Sequence, residues 1–196
     1  MARASREEAE ATGRRILAAA REAFATEGYA RVRLVEVAAA AGVTRGAVYH
    51  RYRVKEDLFA DVLAIVMAEV AEAVERAADG AGGLRGGIEA GCLAFVRAAT
   101  DPGVQRIMLV DGPAVVGWEA WRALDAQHSR HGLEVGLREL EKAGQFRGDP
   151  QAAAILLSGA LNEAALWVAS ASDPDSAMDA LGGAVRALLA GLIASE

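Results

Sequence analysis

Apolar positions recur along this chain at the three-and-four spacing of α-helices, and no alternating run of strand type is sustained. Ile16, Ala20, Ala23 and Phe24 share one face of a first helix that runs to about Glu27. Ser5 and Glu8 have the spacing of a capping box at its start. Gly28 ends it, with Tyr29 placed to pack back on the last turn. A short apolar helix follows from Leu34 to Ala41. Gly42 can take the left-handed conformation that closes it. Val43 reads as a buried plug, and the Thr44 hydroxyl can cap a third helix, about Arg45 to Tyr52. On that helix Ala47 and Val48 pack inward, while Arg45, Tyr49, His50 and Arg51 point outward. Such a two-helix corner, with a glycine in its turn and Arg, Thr and Tyr exposed on its second helix, is a helix-turn-helix.

The next helix, Lys55 to Ala78, carries two apolar stripes: Leu58, Val62 and Ile65, then Leu63, Val66, Val70 and Val74. A helix with two apolar sides packs against two bodies, so this one reads as a strut between the front of the chain and the rest. Asp79 to Gly83 is a flexible break, and a helix from Leu84 to Ala99 follows. Asp101-Pro102, Asp149-Pro150 and Asp173-Pro174 each place a capping aspartate before a proline at the first helical position. Gly112-Pro113 is read as ending one element and starting another. The later helices then fall near 102–110, 113–143 (with an interruption allowed around Ser129 to Gly132), 150–171 and 174–194. The expectation is an all-α protein of about nine helices. Residues 1–54 form the helix-turn-helix module, and residues 55–196 form a helical effector and dimerisation domain. The last two helices are the most apolar. Leu156, Leu157, Ala160, Leu161 and Ala164 on one, and Leu181, Val185, Leu188 and Leu192 on the other, need cover that a symmetry mate supplies in a four-helix dimer interface.

Charge sharpens this division. The chain has a formal charge of −6, yet residues 1–60 carry 11 Lys or Arg against 8 Asp or Glu, a net +3. The remainder carries 10 against 19, a net −9. A basic front on an acidic body suits a protein that meets phosphate only at its front. Cys92 is the single cysteine, which excludes an intrachain disulfide and fits a reducing cytoplasm. The charged first residues lack an apolar signal core. The longest charge-free run, Pro150 to Asn162, is too short to span a membrane. The expected location is the cytoplasm, with no membrane contact.

The stretch Gly28 to Leu63 resembles the DNA-binding domain of the TetR family of bacterial transcriptional repressors. The matching pieces are Gly28-Tyr29, Val37-Ala38, Ala41-Gly42-Val43, Thr44-Arg45-Gly46, Val48-Tyr49, His50, the aromatic Tyr52, and Lys55-Glu56 before Leu58. Beyond that stretch the likeness is one of length and helicity. The resemblance implies a palindromic double-stranded DNA operator read by a homodimer. It assigns Thr44, Tyr49 and Lys55 to phosphates, with Gly46 part of the same motif. Arg45, at the start of the recognition helix, is placed to read a base edge, and His50 could do either. Two positions depart from the family. Arg33 stands where Ser or Thr usually caps the second helix, and could bind phosphate instead. Val54 stands where Ser or Asn is common.

No nucleophile elbow, phosphate loop or HExxH helix is present, so neither an enzyme nor a cofactor is expected. His128 and His131, with Asp125 a turn earlier, permit a metal site by spacing alone, but no further ligands accompany them and no metal is expected. The family resemblance implies an effector cavity in the middle of the chain. Phe95, Met108, Trp118, Trp121, His128, Asn162 and Trp167 are its candidate lining, suited to a small apolar or aromatic molecule. Two alternatives stay open. One is a DNA-binding regulator controlled by a protein partner. The other is a helical ligand carrier or enzyme whose helix-turn-helix is incidental.

Overall fold

Each Asp-Pro pair starts a helix in the computed structural model, which describes residues 2–193, with side chains from Glu7 onward. Asp101 accepts from the Gly103 and Val104 amides, Asp149 from Ala152 and Asp173 from Ser176, at 2.7–3.1 Å. The proline after each cap has no N–H to leave unpaired. The described residues are helical almost throughout. In chain order the elements are α1 (Ala2–Glu27), α2 (Leu34–Ala40), α3 (Arg45–Arg51), α4 (Lys55–Asp79), α5 (Gly83–Ala99), α6 (Pro102–Gln105), a π-helical segment (Arg106–Asp111), α7 (Gly112–Val116), α8 (Trp118–Gln127), α9 (Ser129–Lys142), α10 (Pro150–Ser170) and α11 (Pro174–Leu192). An isolated bridge, Phe146 to Ile193, ties the α9–α10 connection to the end of α11.

α1 begins before Ser5, so Ser5 lies within the helix and does not cap it; its side chain lies outside the described residues. The inner face of α1 is as the periodicity required, with Ile16, Ala20 and Phe24 fully buried. Phe24 meets Phe59 of α4 edge-on at 5.1 Å, and Tyr29 meets the same ring at 5.2 Å. This aromatic trio locks α1 to the start of α4. α4 runs antiparallel to α5, and Gly87 and Gly91 let the two helices close. A Cβ at Gly87 would stand 3.2 Å from the Ala78 carbonyl oxygen, and one at Gly91 would stand 3.3 Å from Val74 Cγ1. Ile65 of the expected first stripe is instead partly exposed.

Gly112-Pro113 does not break the chain. Helix continues from Pro102 to Val116, and the break falls at Gly117, whose φ of 82° favours glycine. The reason is the π register. With i→i+5 spacing, Pro113 would be the donor to the Met108 carbonyl, but it has no N–H. Trp121 Nε1 donates to that oxygen at 2.7 Å instead. The indole also fills the space beside Gly112, where a Cβ would lie 3.0 Å from both Trp121 Cδ1 and the Ile107 carbonyl oxygen.

The π segment also grips the end of α1. Arg106 Nη1 donates to the carbonyls of Thr26 (2.6 Å) and Ala25 (3.3 Å), and Asp111 Oδ2 accepts from the Tyr29 amide at 2.8 Å. By length and composition α10 could cross a membrane. Here it packs on α5, α9 and α11, with Ala154, Ala165 and Val168 buried.

Gly112→Ala is expected to destabilise the protein by about 1–3 kcal/mol, because neither the backbone oxygen nor the wedged indole can yield cheaply. Urea denaturation followed by tryptophan fluorescence measures it. An unchanged midpoint would show that the π segment is soft.

Candidate nucleic-acid interface and a cavity between helices

Backbone hydrogen bonds fix the corner between α2 and α3. The Gly42 amide donates to the Ala39 carbonyl (3.1 Å) and the Val43 amide to the Ala38 carbonyl (3.0 Å), the paired bonds of a Schellman motif. Gly42 has φ 64°, which a side chain would strain. Thr44 Oγ1 then accepts from the Ala47 amide at 3.2 Å and starts α3. Val48 is fully buried, so α3 is held by one face and shows the other.

That outer face carries Thr44, Arg45, Gly46, Tyr49 and His50, all exposed. The Arg45 guanidinium lies 5.0 Å from the Tyr49 ring centroid and makes no ion pair among the described residues. It is a free fork at the first turn of a helix. Nothing in the fold requires glycine at position 46, since a Cβ there would meet only Thr44 Oγ1 at 3.9 Å. Arg33 is exposed at the start of α2, with no capping bond and a loose 3.7 Å contact to Glu36. Arg51, on the same helix, is exposed too, but its side chain lies back along α1. Its guanidinium lies over Gly13 of α1, and its Nε donates to the Tyr52 hydroxyl at 3.3 Å. That hydroxyl in turn donates to Asp61 at 2.9 Å.

Lys55 is placed differently from the expectation of an outward phosphate contact. Its ammonium donates to the carbonyls of Tyr29 (2.7 Å), Val32 (3.0 Å) and Ala30 (3.5 Å) and sits 4.1 Å from the Tyr29 ring centroid. All its donors are committed to the α1–α2 connection. The uncapped start of α4 at Val54 is therefore anchored by the residue after it.

A cavity of about 710 Å³ opens between the end of α4, α5, α9 and α10. Of the seven residues expected to line it, Phe95 does so; the other six do not. Met108 lies buried in the π segment, where its carbonyl accepts from the Trp121 indole of α8. Trp118 stacks on Trp121 at 5.2 Å with its outer face in solvent. Trp167 is half exposed on the outer face of α10. Asn162, on α10, and His128, the hinge between α8 and α9, lie outside the wall, which takes His131 instead. No group of three or more His, Cys, Asp or Glu suited to a metal occurs among the described residues.

The apolar wall includes Leu84, Ile88, Leu133 and Leu161, with Cys92 buried beside them and its thiol pushed up to about 12 by burial. At one side lies a polar cluster that the sequence reading missed. Asp125 is buried and accepts from Ser158 Oγ and Arg122 Nη1, both at 3.0 Å, with Arg130 Nε 3.4 Å away. Burial raises the Asp125 carboxyl above its ordinary range, against the pull of Ser158 and both guanidinium groups. Asp125, Arg130 and Ser158 come from three helices, so no sequence spacing marks them. The glycine pair Gly87 and Gly91 was a legible hint that α4 and α5 approach closely here.

The expected dimer residues divide by face. Leu156 and Leu188 are exposed at 74 and 54 %, and Ala160 is exposed with them. Ala164, Leu181 and Leu192 are half-buried. Leu157, Leu161 and Val185 point into the core and are not available to a partner. α10 therefore shows an outer stripe of Leu156, Ala160, Glu163 and Trp167 one helical turn apart.

Residues 16–62 match the family model described as bacterial regulatory proteins, tetR family, and residues 86–192 match that of the tetracyclin repressor-like C-terminal domain. A solved TetR-family transcriptional regulator from Pectobacterium atrosepticum is 33% identical with a TM-score of 0.80, covering 97% of this chain and 98% of that one. The HTH-type transcriptional regulators AcrR of Shigella flexneri and TtgR of Pseudomonas putida are 44 and 43% identical over 62 and 63 residues. Those matches cover 32% of this chain and only 29–30% of the curated relatives' length.

The geometry separates two cations. Lys55→Met is expected to lower the stability of the free protein by about 1–3 kcal/mol, because it strips a charged donor from three carbonyls. Arg45→Ala, on an open surface, stays within about 0.5 kcal/mol of wild type. Urea titration without DNA compares them, and equal midpoints would make Lys55 a surface cation.

Proposed function

We propose, from the premise that this chain belongs to the TetR family of bacterial transcriptional regulators, that it is a cytoplasmic repressor which binds a palindromic operator as a homodimer and leaves it when a small molecule fills the open cavity between α4, α5, α9 and α10. The reading divides the chain into a DNA-binding module, residues 1–54, and an effector and dimerisation domain, residues 55–196. The observation that carries it is α4. Its first residue is bonded into the helix-turn-helix, and its last turns, from Val74 to Asp79, wall the cavity. A ligand that binds the two states unequally shifts the balance between them. A change at the end of α4 re-aims α3, and a dimer whose recognition helices no longer match the DNA repeat loses a half-site. A packed interior would favour control by a protein partner; the cavity favours a small molecule.

On DNA, Arg45 reads a base edge, while Thr44, Tyr49 and Arg33 hold phosphates, with His50 beside them. Glycine at position 46 costs about 1 kcal/mol relative to alanine in a helix. The bare position gives the DNA backbone close approach. Lys55 acts indirectly, by fixing α3 relative to α1. Assembly uses the outer faces of α10 and α11, through Leu156, Ala160, Trp167 and Leu188.

Selection from a random duplex pool gives the operator. Arg45→Ala is then expected to lose about 1–3 kcal/mol of discrimination at one base pair in each half-site; a uniform loss over all sequences would make it a phosphate contact. Leu156→Glu is expected to sediment as a folded monomer with its operator affinity collapsed, since a dimer would bury an unpaired charge. A folded Leu156→Glu dimer would place the interface elsewhere.

A further inference from the structure

Resting on the reading of the cavity as the effector site, we propose that its ligand is an apolar molecule carrying a single carboxylate, and that Arg130 holds the carboxylate. Two guanidinium groups, Arg122 and Arg130, share the one buried carboxylate of Asp125. Neither has another ion pair among the described residues. Arg122 is otherwise accommodated, with its charge 5.8 and 5.9 Å from the ring centroids of Trp118 and Trp121. Arg130 is not. It lines the cavity, its Nη2 makes one long bond to the Arg122 carbonyl at 3.4 Å, and its Nε is buried without a hydrogen bond. A largely buried guanidinium with donors to spare is costly unless something accepts from it. Its planar fork matches a carboxylate in two parallel hydrogen bonds.

The opposite polarity of ligand lacks a seat. A cation would meet a carboxylate already flanked by two guanidinium charges: Asp125 Oδ2 accepts from Ser158 and Arg122, with Arg130 Nε 3.4 Å away. The other acidic groups on the wall are Glu75 and Asp79, which are exposed, and Glu139, whose Oε1 accepts from Lys142 at 2.7 Å. Leu84, Ile88, Phe95, Leu133 and Leu161 make the rest of the wall a place for hydrocarbon. The volume, about 710 Å³, is that of a small-molecule site.

Calorimetric titration of the full-length protein with decanoate, decanol and decyltrimethylammonium tests this, all below their aggregation limits. Decanoate is expected to bind at least about tenfold more tightly than the other two, the scale of a hydrogen bond to a charged group. Arg130→Met is expected to abolish that preference and leave decanol unchanged; Arg130→Lys keeps part of it. Should Arg130→Met fail to fold, the wild-type series decides alone. No binding of decanoate, or equal or tighter binding of decanol or the cation, overturns the carboxylate assignment. Decanoate that binds through Arg130 but leaves affinity for the selected operator unchanged supports this inference and overturns the effector reading instead.

Discussion

An ammonium group leaving water must find acceptors, and that of Lys55 finds three main-chain carbonyls in the connection between α1 and α2. The small DNA-binding module depends on this contact. α2 and α3 are seven residues each, too short to be stable alone, so tertiary contacts must hold them. The lysine ties the start of α4 to the loop that leads into α2, and the Phe24, Tyr29 and Phe59 rings fill the space beneath. Lys55 thereby couples the start of α4 directly to the backbone of the helix-turn-helix.

A second tether runs in parallel. Arg106 caps the last carbonyls of α1, and Asp111 holds the Tyr29 amide just beyond it. Both lie on the π-helical segment, whose open carbonyl at Met108 is closed by Trp121. The end of α1 is thus gripped from α4 on one side and from the π segment on the other. Pro113 makes this arrangement workable, since an N–H at that position would compete with the indole for the same oxygen.

The cavity is built on a different constraint. Gly87 and Gly91 bring α5 against α4, while α9 and α10 close the other sides. The charge excess of its polar side arises where α8, α9 and α10 converge. Arg122 and Arg130 flank Asp125 from either side in sequence, and Ser158 reaches it from the neighbouring helix.

The sequence by itself determined the helices and their starts. The Asp-Pro caps, the Gly42 corner, the Thr44 cap and the buried face of α1 are local features, set by backbone freedom and by which side chain reaches the nearest amide. It also determined which residues α3 shows to solvent, because a seven-residue helix with one buried position leaves its polar residues exposed. Long-range partners decided the rest. Nothing local distinguishes a lysine that meets phosphate from one that meets three carbonyls more than twenty residues away. Trp121 and Trp167 look alike in an apolar pattern, yet one closes a π segment and the other stands half in solvent. On α10, apolar nearly all round, periodicity could not say which leucines faced the core and which faced outward. Leu157 and Leu156 are neighbours in sequence and opposites in space, and only the packing of α5, α9 and α11 around that helix assigned their sides.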